Sequence, residues 1–451
     1  MKFNLRRRIG DFWWYSIILF CSLRFTDLIN AFTGLWIVPK FVSTEELGAV
    51  LPLTNFASAL GLPISVLVVV FSKHLNTLAV RGEHGKIKKM LRDVFIAAAV
   101  LMVFIVIAAH LLMPLFFNRL RVEKGSLGIL IIASAMICTI HPVYTNAVQA
   151  LKKFTSMSVM CLLAAPLRLV VMVVAMPFRA LSGYFVGQAT PPLLMMAGSV
   201  VALHKELGPE IKTKPYFDIE TRRWFARYTT RVALYMIPSM VCGLVEMLVI
   251  RQRLPAEDSA AFYIISRFAE IGTYLGQSLT TILVPLAAEA SERGDNSEKL
   301  LHQSMTGTLA SGCVIALGFA VAGSHALSLL PNGNIYAGYT PQLVALTVIL
   351  AAVMTQTNFI SFEMAGTRFG FLRYIIPASI FEVVTILSLT GWGYFSGILP
   401  DTWVAKMAAV NASRLNFILG VMGATALLKL LCIAIHLRIR YCRRRLETKN
   451  N

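Results

Sequence analysis

The sequence predicts an all-α integral membrane protein of about twelve transmembrane helices in two parallel-repeat six-helix bundles around a central cavity. Three observations predict it. The apolar residues gather into runs of membrane-crossing length, the basic residues gather in the short loops between those runs, and the first half of the chain repeats in the second.

The 451 residues are 57% hydrophobic and only 14% charged, with a mean hydropathy of +0.68. Soluble domains run nearer half apolar and a quarter charged, and a soluble fold has no interior large enough for this much apolar surface. The runs are roughly 20 residues long, the length that crosses a hydrocarbon core of about 30 Å at about 1.5 Å per residue. They lie near 12–38, 46–72, 93–117, 126–150, 156–177, 181–204, 228–250, 258–286, 301–330, 340–363, 371–396 and 403–436. Pro63, Pro142, Pro166, Pro238 and Pro377 fall inside them. Neighbouring helices can re-satisfy the backbone groups a proline frees, so these predict kinks rather than ends.

The formal net charge is +19. Its basic clusters, Arg6-Arg7-Arg8, Lys73 to Arg92, Lys152-Lys153, Lys205 to Arg231 and Arg438 to Arg445, all fall on one side once the runs are threaded through a bilayer. That asymmetry is the positive-inside pattern; it predicts both termini in the cytoplasm and anionic headgroups, not nucleic acid, as the partner of the charge. Basic Met1 to Arg8 followed by the unbroken apolar stretch from Phe12 reads as an uncleaved first span. None of the seven cysteines forms a C-x-x-C spacing, so neither a disulfide framework nor a metal site is expected. There is no G-x-x-x-x-G-K-[ST] motif, and no acidic motif or soluble domain to hold a nucleotide sugar. These absences predict a transporter without cofactor or catalytic residues, energised by gradients or by the membrane potential.

Leu35 to Met90 aligns with Met247 to His302 without a gap at an offset of 212. Val42 to Val50 and Leu254 to Phe262 each place an acidic turn, Glu45-Glu46 or Glu257-Asp258, before a helix. Arg81-Gly82-Glu83 then answers Arg293-Gly294-Asp295. At an offset of 215, Gln149 to Phe154 answers Met364 to Phe369. An even number of spans per half makes the repeat parallel, an architecture of secondary transporters. The expected division is 1–204 for the first bundle, 205–227 for a polar linker, 228–437 for the second bundle and 438–451 for a basic tail.

A charge at mid-bilayer costs at least about 2.5–3.5 kcal/mol, so intramembrane ions face protein or a water-filled cavity. Four arginines qualify by depth, Arg24, Arg168, Arg267 and Arg414, with Asp27, Glu246, Glu270 and Glu382 as coupling or charge-pairing partners. Arg24 with Asp27 and Arg267 with Glu270 stand at i, i+3, close enough to pair on one helix. A guanidinium is a planar, permanently charged donor, which suits an anionic, phosphate-bearing substrate; the plainer reading is a set of structural ion pairs. Arg24 and Arg267 are the leading candidates. His141 beside Pro142 reads as a hydrogen-bonded structural histidine before a proton site, Gly183 and Gly187 as close-packing positions, Glu363 as interfacial, and Lys429 as snorkelling to the surface.

Trp36 to Gly48, then Pro63, a span ending in Ser72-Lys73, and Arg81-Gly82-Glu83 resemble the first two helices of oligosaccharide flippases of the O-antigen and capsule type. These belong to the multidrug/oligosaccharidyl-lipid/polysaccharide exporter superfamily. The resemblance implies a bacterial inner-membrane protein that moves an undecaprenyl-pyrophosphate-linked oligosaccharide to the outer leaflet for lipopolysaccharide or capsule synthesis. It also implies membrane lipids, a glycan polymerase and glycosyltransferases as partners. By position, Arg24 and Arg267 fit the family's pyrophosphate-binding arginines. The alternatives are the multidrug and toxic compound extrusion branch, a cation antiporter that would favour free acids in its cavity, and the lipid II flippases, which carry two further helices not found here. A non-transporting scaffold would leave the intramembrane charges unexplained.

Overall fold

The computed structural model describes residues 11–80, 82–120, 127–151, 153–207, 219–274, 276–280, 283, 298–331, 333–365, 369–389 and 414–450, and every regular element among them is helical. Each of the twelve predicted runs has helix at its place.

The first run is α1 (Asp11–Phe32), which passes through a π-helical turn (Thr33–Ile37) into α2 (Val38–Phe41). Ser43 then caps α3 (Thr44–Leu60): its hydroxyl accepts from the Glu46 amide at 3.3 Å while the Glu46 carboxylate accepts from the Ser43 amide at 3.4 Å. This reciprocal pair satisfies two of the donors that open a helix. The second run is not one straight helix. α3 ends at Gly61 and α4 (Leu62–Val80) leaves it at 58°. Pro63 supplies no amide hydrogen and its ring crowds the carbonyl one turn back. At Gly61 a Cβ would stand 2.3 Å from the Thr139 hydroxyl, so this corner lies directly against the helix over Leu127–Ala150.

The remaining elements are α5 (His84–Leu120), α6 (Leu127–Ala150), α7 (Phe154–Ala175), α8 (Ala180–Glu206), α9 (Ile219–Arg253), α10 (Ala256–Ala269), α11 (Glu298–Ser328), α12 (Gly333–Tyr336), α13 (Thr340–Ala365), α14 (Leu372–Leu389) and α15 (Arg414–Asn450). Helices α6, α7, α9 and α14 continue through Pro142, Pro166, Pro238 and Pro377, as the reading of kinks requires. Among the described residues eight spans are long and apolar enough to cross a membrane, and the bent α3–α4 pair makes a ninth. Helices α1, α10 and α14 stand at the other three predicted positions, and each carries charged residues in its apolar run.

The repeat is written in the helix boundaries. α2 ends at Phe41 and α9 at Arg253, and α3 begins at Thr44 and α10 at Ala256, both 212 apart. The break at Gly61 has its counterpart in the 3-10 turn Glu270–Thr273 that ends α10. α6 and α13 end at Ala150 and Ala365, 215 apart. Gly82 turns with φ +70°, and Glu83 pairs with Lys86 at 2.5 Å; Arg293-Gly294-Asp295 lie outside the described residues, as do Arg6-Arg7-Arg8, Arg81, Lys152 and 208–218 of the expected linker.

The chain forms two compact units, residues 1–46 with 50–236 and residues 47–49 with 237–451. In unit 1, α1 packs on α7, and α8 packs on both α6 and α7. A Cβ at Gly187 would sit 2.2 Å from Met172 Cγ, and one at Gly183 would sit 2.5 Å from the Met176 amide nitrogen. These glycines therefore serve close helix contact. In unit 2, α13 packs on α10, α11 and α15, and α15 on α14. A Cβ at Gly312 would lie 2.2 Å from that of Ala351. Buried Asn358 on α13 donates to Ser304 at 3.0 Å and to Thr308 at 2.8 Å and accepts from Thr280. A buried amide with both ends satisfied fixes one helix register, where an apolar contact would tolerate several.

Candidate functional site

Unit 1 brings three of the predicted residues to one seam. On α1, Arg24, Asp27 and Asn30 follow at intervals of three, which places them on one face. Arg24 Nη2 meets Asp27 Oδ2 at 3.0 Å, and its guanidinium lies 5.5 Å from the Phe20 ring centre. Across the seam Arg168 on α7 donates from Nη1 to Asn30 Oδ1 at 2.8 Å. One turn earlier on α1, Thr26 donates to the Cys161 carbonyl at 3.0 Å, pinning α1 to α7. The Arg24 and Asp27 side chains remain 24% and 20% exposed, so the pair sits at an accessible edge of the helix packing.

The second predicted pair forms in unit 2. One nitrogen of Arg267 donates to both Glu270 oxygens, at 3.0 and 2.9 Å, and the guanidinium lies 5.3 Å from the Tyr263 ring centre. The pair occupies the point where α10 tightens into the 3-10 turn, and Gly272 there approaches Thr347 of α13 so closely that a Cβ would be 2.9 Å away. A tightened turn against a neighbouring helix aims these side chains away from the packed face. Arg267 keeps 21% and Glu270 38% of its side chain exposed.

Glu246 and Glu382 come together in unit 2, with a third member that sequence reasoning misplaced. Lys429 does not reach the surface: its ammonium bonds to Glu382, with side-chain exposures of 13% and 7%. Glu382 also accepts from the Thr425 hydroxyl at 2.7 Å, and buried Glu246 lies close to both Glu382 and Lys429. Lys429 has a carboxylate within reach on a neighbouring helix, and a paired ion needs no path to water. Nothing local could have signalled this, because Glu382 stands 47 residues away. Glu363 stands beside the end of its apolar span at Met364, at the interfacial depth expected of it, and is buried there, 1% exposed, because Arg440 reaches it at 2.6 Å. His141 Nδ1 lies 2.9 Å from the Cys138 carbonyl, a local bond of the structural kind. Arg414 opens α15, and its side chain lies outside the described residues.

Chemically, the α1–α7 seam and the Arg267 pair present guanidinium groups that can grip an anion, whereas the Glu246–Glu382–Lys429 cluster is closed on itself. Two carboxyls against one ammonium balance only when one of the two carries a proton.

No family profile and no curated protein matches the chain. Solved structures do. An outward-facing multidrug-resistance MATE transporter of the MOP superfamily superposes with a TM-score of 0.64 at 14% identity, over 96% of this chain and 94% of that one. The Vibrio cholerae MATE transporter VcmN gives 0.63 at 14%, over 94% and 95%. The lipid II flippase MurJ in an inward closed conformation gives 0.57 at 15%, over 93% and 86%. At such identities the likeness establishes the fold, two repeat bundles of helices, and the chain is a multi-pass membrane protein with that fold.

Proposed function

We propose that this chain is a transporter, not an enzyme, and specifically a flippase. It moves an undecaprenyl-pyrophosphate-linked oligosaccharide across the bacterial inner membrane for surface polysaccharide synthesis. The observation that carries the reading is the accessible arginine chemistry: Arg24 beside Asp27, Arg168 on the same seam, and Arg267 over Tyr263. A pyrophosphate diester offers paired anionic oxygens that a planar guanidinium meets in bidentate fashion and never loses by deprotonation. In this proposal the arginines hold the pyrophosphate, Asp27 and Glu270 occupy them when no substrate is bound, and the lipid tail stays in the bilayer. The bundles alternate between facing the cytoplasm and facing out. Glu246 and Glu382 are the coupling candidates, since their cluster can take up a proton and become neutral. Glycan polymerase and glycosyltransferases are the partners such a step would serve.

The neighbouring folds keep two other readings in view. A MATE-type cation antiporter is favoured by the buried acids Glu246 and Glu382, but Lys429 already supplies the cation that Glu382 would bind. A lipid II flippase is favoured by the likeness to MurJ. Replacing Arg24 and Arg267 together with alanine separates the three. The proposal expects a membrane-inserted protein and an undecaprenyl-linked glycan accumulating on the inner leaflet, with surface glycan falling at least about tenfold for the loss of two charge-assisted contacts. Unchanged surface glycan would overturn the role of the arginines. Drug sensitivity without glycan build-up selects the antiporter, and accumulation of lipid II selects the third reading.

A further inference from the structure

Away from the arginine seam, the end of α13, the start of α14 and residues 436–440 of α15 in unit 2 line an open cavity of about 620 Å³, with Glu363, Gly370, Arg373, His436, Ile439 and Arg440 together with Phe369 and Leu372 around it. It stands at a membrane–water boundary, because two apolar spans stop beside it, one at Met364 and the other at Arg440. The chain that follows is strongly basic, with Arg443, Arg444 and Arg445.

The polar groups divide by their commitments. Arg440 is fixed between Glu363 at 2.6 Å and Glu298 at 3.3 Å, so it forms a neutralised wall. Arg373 is exposed and makes no described ion pair; its guanidinium lies 4.9 Å from the Tyr374 ring centre. His436 is 8% exposed and held edge-on by Phe359 and Tyr374, at 5.9 and 5.7 Å between ring centres. Its Nδ1 is buried and has no hydrogen-bond partner among the described residues. A buried polar atom left without a partner costs about 1–3 kcal/mol, so such an atom in a native fold calls for a specific reason, of which a bound group is one. Gly370 lets the backbone come close to this ring, since a Cβ there would be 3.3 Å from its Cε1.

From this cavity an apolar track runs up α15. Leu427, Leu431, Ile435 and Ile439 follow at intervals of four and are 66%, 58%, 45% and 42% exposed. Spacing of four keeps them on one slowly winding stripe of the helix, and its last member lines the cavity.

We propose that this cavity binds the phosphodiester headgroup of an anionic phospholipid, with Arg373 and the His436 imidazole as its polar contacts and an acyl chain lying along the Leu427–Ile439 stripe. Basic pockets between helix ends at the membrane surface are suited to such headgroups, and the ordered chain on α15 distinguishes this site from general surface charge. The shared chemistry with a soluble ligand is the phosphate anion, so the test compares both sources.

The full chain, purified in a mild detergent, is titrated with fluorescent phosphatidylglycerol, with phosphatidylcholine and with inorganic phosphate as a competitor. The parent protein should prefer phosphatidylglycerol over phosphatidylcholine. Arg373→Gln, at an exposed position that leaves packing intact, should weaken it about tenfold, as for one lost charge-assisted hydrogen bond. Arg438→Gln, an exposed cation outside the cavity, should change binding less than about twofold by removing only surface attraction. Leu431→Ser should weaken lipid several-fold and leave phosphate competition unchanged. Equal binding by the parent and Arg373→Gln overturns the site. Millimolar phosphate that displaces lipid regardless of Leu431 overturns the lipid and assigns a soluble anion.

Discussion

The α1–α7 seam of unit 1 and the Glu246–Glu382–Lys429 cluster of unit 2 treat charge in opposite ways. Along the α1–α7 seam of unit 1, Arg24 and Arg168 accompany one carboxylate, Asp27, and the Arg24–Asp27 pair keeps about a fifth to a quarter of its side-chain surface open. In unit 2, Glu382 and Glu246 accompany one cation, Lys429, and the pair at its centre is only 13% and 7% exposed. Deeper burial lowers the effective dielectric and strengthens each interaction, but it also raises the cost of any unbalanced charge. The Arg24–Asp27 edge is therefore the more open of these two sites, and the acid pair the more deeply buried. The proposed function assigns the two sites different tasks, gripping an anion and balancing a charge.

The largest effect that could break this comparison is at Lys429. Lys429→Met strips the ammonium from two buried carboxylates, and removing one partner of a buried pair costs about 3–5 kcal/mol. Thermal unfolding of the purified protein in detergent should drop accordingly. Adding Glu382→Gln to the same chain should restore more than half of the loss, because the carboxylate that Lys429 bonds directly disappears with it. A Lys429→Met protein as stable as its parent would mean the ammonium holds nothing together.

Much of the fold was legible before any coordinates, for a physical reason: run length is set by bilayer thickness, and the boundaries 41/253, 44/256 and 150/365 are fixed by turns that repeat with the helices. The break at Gly61 was hidden because the apolar run continues across it, and hydropathy records no angle. Among the site residues, Arg24 with Asp27 and Arg267 with Glu270 could be paired from sequence because the helix itself brings them together. Arg168 with Asn30, Lys429 with Glu382 and Arg440 with Glu363 could not, being 138, 47 and 77 residues apart. Depth along a span is visible in a sequence, while the direction a side chain faces around it depends on neighbours the sequence does not order. Lys429 was assigned to the surface on that account.

A smaller effect tests unit 1. Arg168→Ala removes a charged donor from Asn30 and should cost about 1.5–3 kcal/mol, the usual worth of a hydrogen bond to a charged group. Arg168→Lys should recover only part of it, since an ammonium lacks the guanidinium's planar fork. Asn30→Ala combined with Arg168→Ala should cost less than the sum of the two, which a double-mutant cycle in thermal unfolding would read directly. Additive losses would mean that the α1–α7 seam is held by packing alone.

The smallest stability effect carries the finest distinction. If one proton balances the Glu246–Glu382–Lys429 cluster, Glu246 is the member that can hold it, because Glu382 is already engaged by Lys429 and Thr425. Glutamine keeps the shape of a protonated carboxyl and removes the option of ionising. Glu246→Gln should therefore change stability by less than about 1 kcal/mol, as a near-isosteric replacement that breaks no described ion pair, while Glu382→Gln, which breaks the direct pair with Lys429, costs about 3 kcal/mol or more. The two variants should differ in transport as well. Glu246→Gln would keep a folded protein whose flux no longer responds to a proton gradient, measured with reconstituted vesicles. A Glu246→Gln protein as damaged as Glu382→Gln would show that both carboxylates are structural anions and that Glu246 holds no proton.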